Sequence, residues 1–454
     1  MLEFNTNPDS YIAELKTFVE IPSVSRDATA ETMQQAAKWL ASQISFANGR
    51  VEQTAGHPVV RGEWLNAPGL PTILVYGHYD VQPTGDLDEW KTPPFSLVRD
   101  GDVIRGRGVT DDKGPVLIVL KVAQAFMNQE GKLPLNVKFL FEGEEEIGSP
   151  NLGEYVQSHV AELAADLVIS ADGAMWRPSE PSLSIASKGL ITFDVEVFGA
   201  KEDLHSGRYG GTVANPVHAL AEILTTLHNP DGSIAVVGFY DGIPIMSGQR
   251  RAEIAAVDFD DEEYIMSLGV AALFGEAGYS TIERLWERPT LEINGIKAGG
   301  KYTVIPHVAI AHISCRLVPG QNPRKVVESI NEHFSKLQIA GVRIKVHFDG
   351  EGIPAYTIPA DHPAIRAATA ALEVVYPGEE VLLAVIAGTL PATELFERVL
   401  GSKTLFFSFA TADEKHHAPN EFMRIKRLNE GMRAWEILWR FLAEGPYQIE
   451  MKGD

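Results

Sequence analysis

The chain has 454 residues, 45% of them hydrophobic, enough to bury a full core and more than one core usually serves, so two domains are expected. A net charge of −22, from 61 acids against 39 bases, speaks against an extended phosphate-binding surface and hence against nucleic acid as a partner. The single cysteine, Cys315, excludes an internal disulfide and leaves any metal site to His, Asp and Glu.

In chain order, the N-terminus carries acids where a signal peptide has bases, and no apolar run approaches the roughly 18 residues that span a membrane. A cytoplasmic protein without a membrane partner is the expectation. TILVYG (72–77) reads as a buried strand, GPVLIVLKVAQAFMNQ (114–129) as a helix covered nearly all round, and LNVKFLF (135–141) and DLVISAD (166–172) as further buried strands of an α/β sheet. From Ser187 the texture changes. In LITFDVEVFG (190–199), Ile191, Phe193, Val195 and Val197 share one face, the mark of a sheet with its other face in water.

A helix in NPVHALAEILTTLH (215–228), a strand in VAIAHISCRLV (308–318), a helix in PRKVVESINEHFSKL (323–337) and a strand in VRIKVHF (342–348) follow. That order is compatible with a split βαβ, ferredoxin-like layer. Residues 230–300, rich in Gly, Pro and charge, do not reveal their topology. After GEGIPAYTIPADHP (350–363) the α/β texture returns and includes KTLFFSFA (403–410). The predicted fold is therefore a mixed-sheet α/β domain, residues 1–186 and 354–454, with an α+β domain inserted at 187–353.

Chemistry concentrates where strands end. In GHYDVQP (77–83), His78 and Asp80 emerge beyond the carboxyl end of TILVY, the edge where open α/β sheets bind ligands. His78 is a metal-ligand candidate and Asp80 a candidate to orient it, although a polar pair closing a strand explains them equally well. Asp111 and Asp112 in GRGVTDDKGP (106–115) open a predicted helix; capping accounts for a lone Asp there, whereas two acids in one turn invite a cation. EGEEEIGS (142–149) crowds Glu142, Glu144, Glu145 and Glu146 behind a strand, either as a solvated loop or held at the sheet edge where a metal offsets their repulsion. Asp172 ends DLVIS, and His417 lies in ADEKHHAPNE (412–421). Each has an ordinary explanation singly. Five His, Asp and Glu candidates at strand ends or a helix start of one domain make the ligand set that borderline divalent metals prefer.

GHYDVQP, GRGVTDDKGP, EGEEEIGS, DLHSGRYGG (203–211) and HHAPNE (416–421), in this order and spacing, resemble the co-catalytic zinc metallopeptidases. That family includes carnosinase-like cytosolic dipeptidases, aminoacylase, acetylornithine deacetylase, succinyl-diaminopimelate desuccinylase and glutamate carboxypeptidase. The dipeptidase branch is the nearest in pattern. The resemblance implies two divalent metal ions, zinc with manganese or cobalt as alternatives: His78 and Asp172 on one, Glu146 and His417 on the other, Asp111 bridging, and Asp80 orienting His78. It further implies Glu145 as general base and a lid or dimerisation role for the inserted domain. His205 would reach the active site of a partner subunit in a homodimer, and Arg316 in CRLVPG would grip the substrate carboxylate. His416 is the alternative to His417.

One segment departs from the pattern. Where dipeptidase relatives carry an arginine before a Gly-Gly-Ser-Ile-Pro turn, this chain reads VIAGTLPA (385–392), with Thr389 in place of the serine on the substrate side of the pocket. The expected activity is hydrolysis of the amide bond of dipeptides or similar small peptides. Deacylation or desuccinylation of N-acyl amino acids by the same core is the alternative, and a phosphate-binding reading of GRGVTDDKG fails for want of any GxGxxG or GxxxxGK[ST] pattern.

Overall fold

The computed structural model describes residues 1–4, 7–300, 302–444 and 449, and the chain divides into two compact units. The first comprises residues 1–185, 358–384 and 391–454; the second, 186–357 and 385–390.

The first unit is built on a six-stranded mixed sheet. From edge to edge it runs Arg50–Glu52, Val59–Trp64, Asn136–Glu142, Thr72–His78, Leu167–Ser170 and Thr404–Phe406. The last four strands are mutually parallel, and the first two add on antiparallel. Asn136–Glu142 is buried at every residue and Thr72–His78 at all but its first, so both faces of the sheet are covered, as the unbroken apolar runs require.

The helix Lys113–Glu130 packs beside Thr72–His78, and Gly131, in the left-handed conformation at φ 69°, ends it. The long helix Lys426–Ala443 lies against it and against Pro363–Val375, stacking Trp439 on Phe126 at 6.0 Å. This architecture brings the carboxyl ends of the parallel strands to one edge. His78 and Glu142 stand opposite each other there, and Asp172 follows Ser170 by two residues.

The second unit has a four-stranded antiparallel sheet in the order Thr290–Ala298, Val308–Leu317, Gly189–Phe198, Arg343–Phe348. Helices Pro216–Thr225 and Pro323–Lys336 each carry an asparagine N-cap and a proline at the first turn. Chain order against sheet order gives the ferredoxin-like βαββαβ arrangement. Gly189–Phe198 alternates strictly between buried and half-buried residues, with Ile191, Phe193, Val195 and Val197 inward.

The segment 230–300, opaque in sequence, folds into three short helices (Gly248–Ala255, Asp261–Leu268, Thr281–Glu287) and the strand Thr290–Ala298 that completes the sheet. A reciprocal cap between Ser280 and Glu283 marks the third helix and was the readable signal there. Residues 385–390, expected in the catalytic part, belong to the second unit, because Lys188 N donates to Ile386 O (3.1 Å) and Gly388 O (3.0 Å). Among the described residues no helix is long and apolar enough to cross a membrane.

Phe193 is 1% exposed and packs edge-on to Phe334 at 6.2 Å and against Phe348 at 5.1 Å. Phe193→Ala is expected to cost about 3–5 kcal/mol, read as a lowered midpoint in denaturant unfolding followed by circular dichroism.

Candidate metal centre

The loop after Thr72–His78 buries both of its motif residues completely. His78 Nδ1 lies 3.1 Å from Asp80 O and 3.4 Å from Asp80 Oδ1, which turns Nε2 toward Asp111 Oδ1 at 3.1 Å. Asp80 does a second job. Its carboxylate accepts from Glu145 N (3.2 Å) and Glu146 N (3.0 Å), pinning the turn that carries those two acids.

Asp111 stands between two imidazoles, Oδ1 on His78 and Oδ2 at 2.9 Å from His417 Nε2. His417 Nε2 is also 3.2 Å from Glu146 Oε2. His78, Asp111 and Glu146 bring one ligand atom each within 4.8 Å of one another. Asp172 is held through Oδ1 by its neighbour Gly173 N at 2.5 Å, and its charge reaches His78 and Glu145. His416 does not join the cluster by hydrogen bond; its Nε2 is buried without a partner. Of the sequence candidates, the structure thus gathers His78, Asp80, Asp111, Glu145, Glu146, Asp172 and His417 in the first unit.

The ordinary explanations of these acids are overturned by their contacts. Asp112 is the N-cap residue of Lys113–Glu130 but makes no capping bond; its Oδ2 accepts from His78 N at 3.2 Å. Gly77 makes this possible, since a Cβ there would stand 2.7 Å from Asp112 Oδ2. The glutamates are no solvated loop either. Glu142 takes the Tyr76 hydroxyl at 2.6 Å and the Ser149 hydroxyl at 2.8 Å, while Glu144 takes His57 N and the Asn151 amide.

Two residues that sequence reasoning left out support the ligands. The Gln82 amide donates to Glu146 Oε2 at 2.8 Å and so fixes that carboxylate. Glu421 is completely buried and accepts from Gly108 N (2.9 Å), Thr110 N (2.9 Å), Asp111 N (3.2 Å) and Arg107 Nη1 (2.8 Å). It therefore shapes the Asp111 loop from the His417 loop. Their presence inside the motifs GHYDVQP and HHAPNE was the available signal. Lys415, His417 and Asn420 all adopt φ near +60°, unusual for residues with a side chain, and Asn420 anchors the loop through Lys91 N and Glu89 O, both at 2.7 Å.

The electrostatics are those of a site short of positive charge. Burial pushes Glu145 well above the usual carboxylate range, opposed by His78 and reinforced by Asp172, Glu146 and Asp111. Burial likewise raises Asp172 to about 6 and Glu142 to about 7, and lifts Asp112 well above its ordinary value. Asp111 goes the other way: burial would raise it, but the bonds from His417 and His78 hold it well below. Burial disfavours a charged His78, yet its bonds to Asp111 and Asp80 lift it well above 6.5; His417 is raised to about 10, first by Asp111 and then by Glu146. The nearby Lys113 ammonium is spent on Phe18 O and Ile21 O, and burial lowers it to about 7. Carboxylates thus outnumber cations, and the nitrogen and oxygen donors converge as divalent metal ions require.

The model of peptidase family M20/M25/M40 matches residues 74–440. The chain belongs to this peptidase family. A Cys-Gly metallodipeptidase of Schizosaccharomyces pombe is 29% identical over 447 residues, 94% of this chain and 94% of its own. The Beta-Ala-His dipeptidase of Homo sapiens is 30% identical over 399 residues, 85% of this chain and 78% of its own. The crystal structure of an M20 family metallo-carboxypeptidase from Sulfolobus solfataricus superposes with a TM-score of 0.83 at 31% identity, covering 96% of this chain and 99% of that one. The mixed α/β peptidase fold and the metallopeptidase class read from sequence are borne out, and this M20 chain is a metal-dependent hydrolase.

The other three candidates lie in the second unit of the M20 chain. His205 is exposed, and its Nδ1 accepts from Gly207 N at 3.0 Å at the start of the helical turn Ser206–Tyr209. Arg316 and Thr389, remote in sequence, meet: Arg316 Nη1 donates to Thr389 Oγ1 at 2.8 Å.

Two outcomes are expected. His417, raised to about 10, holds a proton at neutral pH in the metal-free protein, and a metal needs that nitrogen's lone pair. Metal binding should therefore release protons and weaken as pH falls below about 10, read by calorimetry in buffers of different ionisation enthalpy; no release at neutral pH would defeat this expectation. Glu421→Gln leaves Arg107 buried beside a neutral group, and is expected to lower the melting temperature and to weaken metal retention roughly 10–100-fold in chelator competition.

Proposed function

We propose that the chain hydrolyses dipeptides and similar small peptides with two divalent metal ions, zinc in the first instance, with manganese or cobalt compatible with the same donors. The observation that carries this reading is Asp111 spanning His78 and His417 through separate oxygens, with Glu146 and Asp172 beside them. His78 and Asp172 would hold one ion, Glu146 and His417 the other, and Asp111 both. When bound, the ions supply a water acidic enough to attack and an electrophile that polarises the scissile carbonyl.

The remaining steps fall to the protein. Glu145 has its backbone pinned by the Asp80 carboxylate. Its raised proton affinity suits a carboxylate that takes the proton of the attacking water and passes it to the departing amine. Asp80 keeps His78 oriented and Glu145 in place. Arg316, steadied by Thr389, takes the substrate carboxylate, a contact its fork of donors suits. His205 donates to the developing oxyanion from the partner subunit of a homodimer. The exposed side chains of Ile293 and Ile296 on the edge strand Thr290–Ala298 support such pairing, since an open edge is readily covered by its own copy. A cytoplasmic setting completes the reading, supported by the single, buried, reduced Cys315.

The curated relatives named for Cys-Gly and Beta-Ala-His dipeptides support dipeptides over N-acyl amino acids. A panel of dipeptides against N-acetyl and N-succinyl amino acids decides between them, with dipeptides expected to be turned over faster. Glu145→Gln is expected to keep its metal content by elemental analysis while losing roughly 10²–10⁴-fold in kcat; an active variant would defeat its assignment as base.

A further inference from the structure

The second unit holds a cavity of about 300 Å³ whose charge is opposite to that of the chain as a whole. Against a net −22, its walls carry four cations, Lys188, Arg284, Arg288 and Arg316, and two acids, Glu276 and Glu292. Arg288 is fully spent: it grips Glu276 with both prongs, at 2.7 and 2.8 Å. Glu292 is exposed on its strand.

Among the described residues the other three cations form no ion pair; their hydrogen bonds go to neutral acceptors. Lys188, 3% exposed, donates to Arg288 O at 2.8 Å and Arg284 O at 3.4 Å. Arg284 Nε donates to Glu276 O at 3.0 Å, and Arg316 Nη1 to Thr389 Oγ1 at 2.8 Å. Burial first, and then the charge of Arg316, lowers Lys188 to about 8, opposed by Glu287, which is itself paired with Arg250 at 2.8 Å.

The frame around it is rigid. Arg316 sits inside the sheet, registered with Leu190 on one side and Thr290 on the other, and Lys188 immediately precedes the strand Gly189–Phe198. Lys188 N also ties down residues 386–388, next to Thr389. One buried lysine and two half-buried arginines, facing only the exposed Glu292 once Glu276 is paired with Arg288, make an anion site, because a bound carboxylate recovers the cost of their desolvation and mutual repulsion. With more than one such cation, one carboxylate leaves charge uncompensated.

We propose that this cavity selects substrates with two carboxylates at their C-terminal end, that is, peptides ending in Asp or Glu. Arg316 takes one carboxylate, and Lys188 with Arg284 the other. This deepens the dipeptidase reading and, as a statement about substrates, rests on it; the cavity itself can be tested apart from turnover.

The test uses the full-length metal-loaded protein. Calorimetric titration with glutarate and with its monoamide, glutaramate, compares ligands of nearly equal size that differ in one charge. Glutarate is expected to bind at least about tenfold more tightly. Arg284→Gln, at a half-buried position, and Lys188→Met are each expected to bring the ratio toward one, and Arg284→Gln keeps the question open to test if the Lys188 variant fails to fold. Equal affinities in the wild-type protein would overturn the proposal. In turnover, kcat/KM for Ala-Asp over Ala-Asn should be at least about tenfold and fall in Arg284→Gln; a ratio of one, with both peptides cleaved, overturns the selectivity and leaves the dipeptidase reading intact. If no dipeptide is cleaved, the function reading fails, and the glutarate comparison alone decides the cavity.

Discussion

The site depends on one carboxylate being held between two imidazoles. Asp111 offers one oxygen to His78 and the other to His417, and a bridging acid of this kind works only if its loop cannot rotate. Glu421 prevents rotation by taking three backbone N–H groups of that loop together with Arg107. Because Glu421 stands four residues beyond His417, one buried carboxylate fixes both the Asp111 loop and the loop that carries His417. The αL residues Lys415, His417 and Asn420 are the local strain that bends this loop back to the sheet edge.

Around that bridge the protein concentrates negative charge beyond what it neutralises. Asp112, Glu142, Glu145 and Asp172 are all pushed toward their protonated forms, chiefly by burial. Left alone such a cluster is destabilising, and divalent cations are the natural compensation. At Glu145 the same surplus suits the role of base proposed for it, since a raised affinity for protons favours a group that accepts one and gives it up again. The second unit shows the opposite imbalance at Lys188, Arg284 and Arg316, a deficit of anions in a protein otherwise rich in them.

Much of this was legible beforehand, for identifiable reasons. Short unbroken apolar runs rich in β-branched and aromatic residues read as buried strands, so the strands of the mixed sheet and the polar residues at their ends were readable, and strict alternation announced the half-wet sheet of the insertion. The separate candidacies of His78, Asp111, Glu146 and His417 followed from placement at strand ends and from the motifs. Residues 230–300 did not follow, because three short helices and an edge strand with exposed Ile293 and Ile296 give no clear period. Gln82 and Glu421 were hidden for another reason: a residue that orients ligands has no distinctive spacing of its own.

The amino-acid sequence by itself determined the mixed α/β peptidase fold, the restriction of any metal site to oxygen and nitrogen donors, and the sheet edge at which those donors collect, because these depend on local pattern and on which residues are available. Tertiary structure decided which alternatives those residues realise. Asp112 is a partner of the His78 backbone rather than a helix cap, Asp80 pins the Glu145–Glu146 turn as well as His78, and Thr389 joins Arg316 across 73 positions of chain. Each of these is a contact between segments distant in sequence, and a hydrogen bond of that kind exists only once packing has brought donor and acceptor together and excluded water from both.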